Sequence, residues 1–276
     1  MAELLLPVDY LEELPADPRG VAPLPMRQLG ASPLHEVWRS SDIYFGTYFS
    51  GEDDDIERAA RIAYDEILRT TRERGYPHLL RVWNHVRDIN EGAGESERYK
   101  RFCAGRHDAF DAAQWGNGRL PAASAVGIHR RGLHIYYLAA QTPGRQIENP
   151  RQVSAYDYPE QYGRRSPSFA RATVFNGMLF LAGTSSIVGH ETMHAGDIRA
   201  QLDETLLNIE TIVRAAGCRG LGDLTHVKLY LRNAADVEIA NALRAAVPRA
   251  RLLVLEADIC RRELLLEIEA VGHLSS

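Results

Sequence analysis

The chain has 276 residues, 45% hydrophobic and 25% charged, a balance that suits a globular protein of about two domains. Its net charge of -5, without a basic stripe, gives nucleic acid no footing, and no apolar run is long enough to span a bilayer. Three widely spaced cysteines, Cys103, Cys218 and Cys260, argue against a disulfide framework or zinc cluster and for reduced thiols in the cytoplasm.

The opening MAELLLPVDYLEELP lacks a basic region and meets acids at once, so it does not read as a secretory signal. Residues 1–40 are expected to form an irregular leader with room for one short strand, because Pro7, Pro15, Pro18, Pro23, Pro25 and Pro33 interrupt any long element. Residues 42–50 (DIYFGTYFS) predict a strand. Asp53, Asp54 and Asp55 then suit a helix N-terminus, and Ile56, Ala60, Ala63, Ile67 and Leu68 give its apolar stripe. A strand follows at 78–86, a helix at about 98–113, and strands at 121–128 and 133–140. Residues 141–170 are long for a connection, and their three tyrosines argue against disorder.

The pattern then repeats. A hairpin turns at Asn176-Gly177. A helix runs from the cap Asp197 to Gly217. A strand at 225–231, a helix at 234–247 and two strands within 251–271 follow. The expected fold is α+β: two tandem domains, each a mixed sheet with helices on one face. The expected division is a leader at 1–40, a first domain at 41–145, a site-lining loop at 146–170 and a second domain at 171–276. The last two strands read as an antiparallel pair turning near Asp258–Arg262. Aligned end to end, the closing strands of the two copies set Tyr136 opposite Glu267.

Several residues invite chemistry. Glu267 and Glu269 share one face of the closing strand, either as a salt-bridged or exposed pair or as acids at a domain seam. Cys103, Gly105 and Arg106 offer either a solvated helix face with a buried cysteine or an anion site. Arg164, Arg165 and Arg171 either complement a dicarboxylate or solubilise the loop. His190-Glu191-Thr192-Met193-His194 matches H-E-x-x-H, but its flanking glycines predict a loop, so no metal is expected. No phosphate loop or dinucleotide fingerprint is present.

Residues 171–271 resemble the Rid (YjgF-like) family in FNGMLFLAGTSS, in the 197–210 helix and in PRARLLVLEADICRRELLLEIEA. The resemblance implies that Glu267 handles water or protons. Arg251 stands near the position of a carboxylate-binding arginine, with one extra residue intervening. From about Ser41 onward the chain is similar to the chorismatases, through RVWNHVRDIN, ERYKRFCAGRHDAF, PAASAVG, ENPRQVSAYDYPEQYGRRSPSFARA, LAGTSSIVGHE and ADICRRELLLEIEAV.

That resemblance implies a cofactor-free enzyme that converts chorismate to pyruvate and a hydroxylated ring acid. It casts Glu267 and Cys260 as catalytic. Tyr99, Arg106, Tyr162, Arg171, Thr184 and Ala172 would bind substrate. Cys260 favours 3-hydroxybenzoate as product, since members that form the dihydroxycyclohexadiene acid resemble one another in a small residue there. Ala172, where glycine would agree better, leaves 4-hydroxybenzoate open, and the dihydroxycyclohexadiene acid is a further alternative. Glu269 is left a structural role. A Rid-type imine or enamine hydrolase and a non-catalytic small-acid binder are the rival expectations. The substrate is the only expected partner, met by a monomer with its site between the two domains.

Overall fold

A computed structural model of the chain describes residues 22–23, 34–51, 53–129 and 131–274. The first half contains β2 (Leu34–Arg39), β3 (Ile43–Ser50), α1 (Ile56–Glu73), β4 (His78–Arg87), α2 (Arg98–Ala112), β5 (Ala122–Ile128) and β6 (Leu133–Ala140), preceded by the two-residue β1 (Ala22–Pro23). The second half contains β7 (Arg145–Ile147), β8 (Ala172–Phe175), β9 (Met178–Thr184), β10 (Ile187–Val188), β11 (Glu191–Thr192), α3 (Ile198–Ala216), β12 (Leu224–Leu231), α4 (Ile239–Ala246), β13 (Arg251–Glu256), β14 (Asp258–Ile259) and β15 (Leu266–His273).

Local chemistry sets the helix ends. The Asp55 carboxylate accepts from the Arg58 amide, and Asp197 accepts from Ala200, so each caps the orphan N–H groups of its helix. Gly217 closes α3 in the left-handed region, with φ 102°. Asn176 and Gly177 both have positive φ, as a two-residue turn between β8 and β9 requires.

Two large sheets result. The first has the order β14-β5-β4-β6-β3-β2, and the second β1-β13-β12-β15-β9-β8-β7. Strand β2, within the stretch read as leader, supplies the outer strand of the first copy's opening hairpin by pairing with β3. Helices α1 and α2 bury Ile56, Tyr64, Phe102 and Phe110 against one face of the first sheet. The apolar stripe of α3 and α4 covers one face of the second, around Leu202, Ile209 and Leu243. The other faces of the sheets meet each other. Leu80, Trp83 and Leu138 pack there against Phe175, Phe180 and Val271. The fold is therefore helices, sheet, sheet, helices, with an inter-sheet seam at its centre.

The closing stretch departs from the expected hairpin. Strand β13 runs parallel to β12 and β15 antiparallel to it, so β12 lies between them. Strands β5 and β6 flank β4 in the same way. Sequence adjacency favoured a hairpin, but the connection is long enough to cross a neighbour. It also visits the other sheet, because β14 pairs with β5. Tyr136 and Glu267 belong to different sheets: Tyr136 pairs with Thr47 and Trp83, and Glu267 with Tyr230. No helix among the described residues is long and apolar enough to cross a membrane.

Candidate active site

Alternation along β15 sends Leu266, Ile268 and Ala270 into the core beneath α3. Glu267 and Glu269 point the other way, into the seam, where they are only 4% and 3% exposed. Burial of a carboxylate demands partners. The two acids differ completely in what they find.

Glu269 is surrounded by donors. It accepts from Lys228 Nζ at 2.6 Å, from Tyr230 Oη at 2.9 Å, and from the Ser124 hydroxyl and the Arg81 guanidinium. Burial alone would push its carboxyl up. Lys228 and Arg81, with hydrogen bonds from Lys228 and Ser124, more than offset that and hold it at about 2. Glu269 is therefore an ion-paired group inside the seam, not an acid on an exposed face.

Glu267 has no such company, and its Oε1 is buried without a hydrogen-bond partner. Burial, reinforced by the like charge of Glu269 and only partly countered by Arg81, raises its carboxyl to about 8. At neutral pH it carries its proton. The carboxyl lies directly over Gly183 of β9. A Cβ there would sit 2.0 Å from Glu267 Oε1, so only glycine leaves the acid its space.

Glu267 opens into a cavity of about 210 Å³ whose walls come from both halves. Helix α2 contributes Tyr99 and Arg106. Residues 158–171 contribute Tyr158, Tyr162, Phe169 and Arg171, and the segment after β14 contributes Cys260, Arg261 and Arg262. Arg106 is 2% exposed and Arg171 3%. Among the described residues, neither has a carboxylate within ion-pair distance, and the Nε of each is buried without a hydrogen-bond partner. Arg106 lies 5.1 Å over the Phe102 ring. Arg171 donates to Val153 O and Tyr158 Oη, both at 2.9 Å, and lies over the Phe169 ring. Glu148 feels the charge of Arg171 from beyond ion-pair distance. Two buried cations with no directly paired carboxylate, next to a neutral acid, suit an anion that needs a proton.

The expected residues Glu267, Cys260, Tyr99, Arg106, Tyr162 and Arg171 all line this cavity. Thr184 and Ala172 do not. Each follows a residue that does, Gly183 and Arg171, and strand alternation turns it away. The Thr184 hydroxyl donates to Ala182 O, and Ala172 packs in the core under α3. Arg251 is exposed at the start of β13, outside the cavity wall.

Cys260 comes to the wall from the crossing after β14, not across a hairpin from Glu267. Burial, then Glu267, pushes its thiol up to about 12, so it is a neutral thiol and no thiolate nucleophile. The H-E-x-x-H segment spans the tight β10–β11 hairpin, which turns at Gly189 with φ 59°. His190 faces Tyr162 Oη at 3.3 Å, while His194 faces Glu204 at 3.6 Å.

Other residues escaped the sequence reading. Arg261 stacks on Tyr162 at 4.1 Å and on Tyr158 at 5.4 Å, and donates to His190 O and Thr192 Oγ1. It thereby fixes the tyrosine wall. Its signal was the RR pair after Cys260, which spacing alone could not direct. Arg81 and Lys228 looked like ordinary strand charges, since nothing local shows that they meet Glu269.

The model for the N-terminal domain of FkbO/Hyg5-like chorismatases matches residues 27–139, and the Endoribonuclease L-PSP model matches residues 164–274. A 3-hydroxybenzoate synthase of Streptomyces hygroscopicus is 38% identical over 233 residues, 77% of this chain and 68% of that protein. The chain belongs to the chorismatase family.

A chorismatase of Streptomyces rapamycinicus is 37% identical over 251 residues, 84% of this chain and 75% of its own length. A crystal structure of a chorismatase superposes with a TM-score of 0.80 at 35% identity, covering 85% of this chain and 76% of that one. The α+β fold of two tandem YjgF-like halves is thus shared with a solved chorismatase. The two family models meet this chain on either side of the seam. The N-terminal one covers β2 to β6 with α1 and α2, and the L-PSP one covers β8 to β15 with α3 and α4. The cavity draws Arg106 from the first and Glu267 from the second.

Proposed function

We propose that this chorismatase-family chain converts chorismate to pyruvate and a hydroxybenzoate, with 3-hydroxybenzoate as the ring product. The observation that carries the proposal is Glu267, protonated and without a hydrogen-bond partner at Oε1, facing a cavity with two buried arginines that make no ion pair. Chorismate has two carboxylates and one enol ether. Arg106 and Arg171 supply the cations for the carboxylates, each as a planar fork with an unused Nε–H. Glu267 supplies the proton.

The first step is protonation of the enolpyruvyl methylene carbon by Glu267. The C=C electron pair forms the new C–H bond, and positive charge develops on the ether carbon and oxygen. The Glu267 carboxylate left behind, itself buried, stabilises that charge. The C4 hydroxyl oxygen then adds to the ether carbon as its proton passes to the Glu267 carboxylate. That carbon lets go of the C3 oxygen, and the C4–O bond breaks to free pyruvate with the former C4 oxygen as its keto group. Loss of the C3 proton, with protonation of the C3 oxygen, leaves an aromatic ring hydroxylated at C3. Chorismate and the sum of pyruvate and hydroxybenzoate have the same atoms, so no redox partner is required.

The ring product turns on Cys260. The resemblance links cysteine at this position to 3-hydroxybenzoate. Its neutral, half-buried thiol suits a group that shapes the ring pocket or passes a proton. Incubation with chorismate, coupled to a pyruvate-reducing dehydrogenase and followed by chromatography, tests both parts. Pyruvate with an equal amount of 3-hydroxybenzoate is expected. Pyruvate at the uncatalysed rate would overturn the activity, and 4-hydroxybenzoate or the dihydroxycyclohexadiene acid would overturn the product assignment.

A further inference from the structure

The two acids of β15 are separated by one residue, share one face and are equally buried, yet only one of them, Glu269, is ion-paired. Arg81 reaches across from β4 to the Glu269 carboxylate and also donates to Val82 O at 2.8 Å. Lys228, directly opposite Glu269 in the β12–β15 register, completes the pair from within the second sheet. The Trp83 ring packs against both cations, 4.7 Å from the Arg81 guanidinium carbon and 5.4 Å from Lys228 Nζ. Ser124 of β5 and Tyr230 of β12 fill remaining acceptor sites of Glu269.

We propose that Glu269 is a positioning residue for Glu267. It ion-pairs with Arg81 and Lys228, leaves its strand neighbour without an ion pair, and adds a like charge on the same face, so that Glu267 stays protonated. The inference rests on the assignment of Glu267 as the proton donor.

The groups that face Glu267 are few. Glu269 lies on its own strand, Arg81 on β4 and Tyr230 on β12. The Cys260 thiol approaches from the segment after β14. Gly183 of β9 contributes only backbone, and Ser124 of β5 a hydroxyl already turned to Glu269. Arg106, Arg171, Arg261, Arg262 and Lys100 line the same cavity, as do the carboxylates Glu97 and Glu263, but Glu269 is the carboxylate whose charge raises the Glu267 carboxyl. Glu269 is thus the charge of like sign beside the acid. Its removal would leave Arg81 and Lys228 facing Glu267, which favours the carboxylate over the acid.

Carbon-13 carboxyl NMR of glutamate-labelled protein without substrate reads this directly, with Glu267→Gln identifying the Glu267 signal by its disappearance. In the wild type, Glu267 should titrate near pH 8 and Glu269 should stay ionised through neutrality. Glu269→Gln should move the Glu267 midpoint down by about one pH unit or more. Lys228→Met should move it up, because Glu269 then loses a countercharge. This opposite pair of shifts is not what mere loosening of the seam produces.

An unchanged or raised midpoint in folded Glu269→Gln overturns the proposal. So does a wild-type spectrum in which Glu269 titrates near neutrality. Should Glu269→Gln fail to fold, a Lys228→Met midpoint that stays or falls overturns it as well. Absence of chorismate turnover alongside the expected shifts would refute the proposed reaction and leave the pairing of the two acids standing.

Discussion

Glu267→Gln should slow pyruvate release from chorismate by roughly 10²–10⁴-fold, the usual contribution of a positioned general acid. Glutamine matches glutamate in shape, so it still fits over Gly183, where a larger group could not. It cannot supply a carboxyl proton. Substrate binding should change little, since the arginines remain. Stability offers a second readout with a definite sign. The native Glu267 carboxyl titrates at about 8 against an ordinary value of 4.5. Below pH 4.5 both folded and unfolded chains hold the proton. Between about 4.5 and 8 the unfolded chain has released it and the native one has not, so this group's contribution declines as pH rises through that window. The glutamine variant lacks that decline. Its melting temperature relative to wild type should therefore rise from pH 5 to pH 8, while its turnover is nearly lost. Wild-type turnover in the variant would remove Glu267 from the mechanism.

Arg106→Met should cut kcat/KM for chorismate by roughly 10- to 150-fold, which corresponds to about 1.5–3 kcal/mol for a hydrogen bond to a charged group. The loss should appear chiefly in KM, because a carboxylate anchor binds the ground state and the transition state alike. The same change should leave stability equal or higher. A buried guanidinium without a carboxylate partner is costly, and methionine is a flexible apolar side chain that can fill the space beside Phe102. Activity and melting temperature moving in opposite directions would mark Arg106 as a residue kept for its ligand. Activity unchanged, or stability and activity falling together, would mark it as a structural side chain.

Much of the fold was legible because its signals are local. Asp55, Asp197, Gly217 and the Asn176-Gly177 turn each act within a few residues, and each does what its type requires. Repetition of the element order gave the tandem plan. What could not be read was neighbourhood within a sheet. Strands β13 and β15 are consecutive long strands in sequence, but β12 lies between them, and no alternation pattern shows which strand a face will meet.

The site divides along the same line. Motif resemblance pointed to Glu267, Arg106 and Arg171, whose side chains converge on the cavity. It also carried Ala172 and Thr184, which their own strands turn away from it. Gly183 reaches the cavity at a register shift of β9 against β15, and Arg171 just before β8 begins, so simple alternation along the sequence did not show which neighbour would face it. The role of Glu269 was not legible either. Its decisive partner Arg81 is 188 positions away, on the other sheet, and only the seam brings them together.

The account requires a glutamic acid that donates its proton near pH 7. The most direct measurement is the pH dependence of kcat/KM for pyruvate release, which reports the groups of the free enzyme, between pH 4 and pH 10. A plateau through neutrality that falls with a single-proton slope as pH rises through about 8 is the predicted result. A rate that rises between pH 4 and 6 and stays level to pH 10 would show that the working group is an ionised carboxylate and would contradict it.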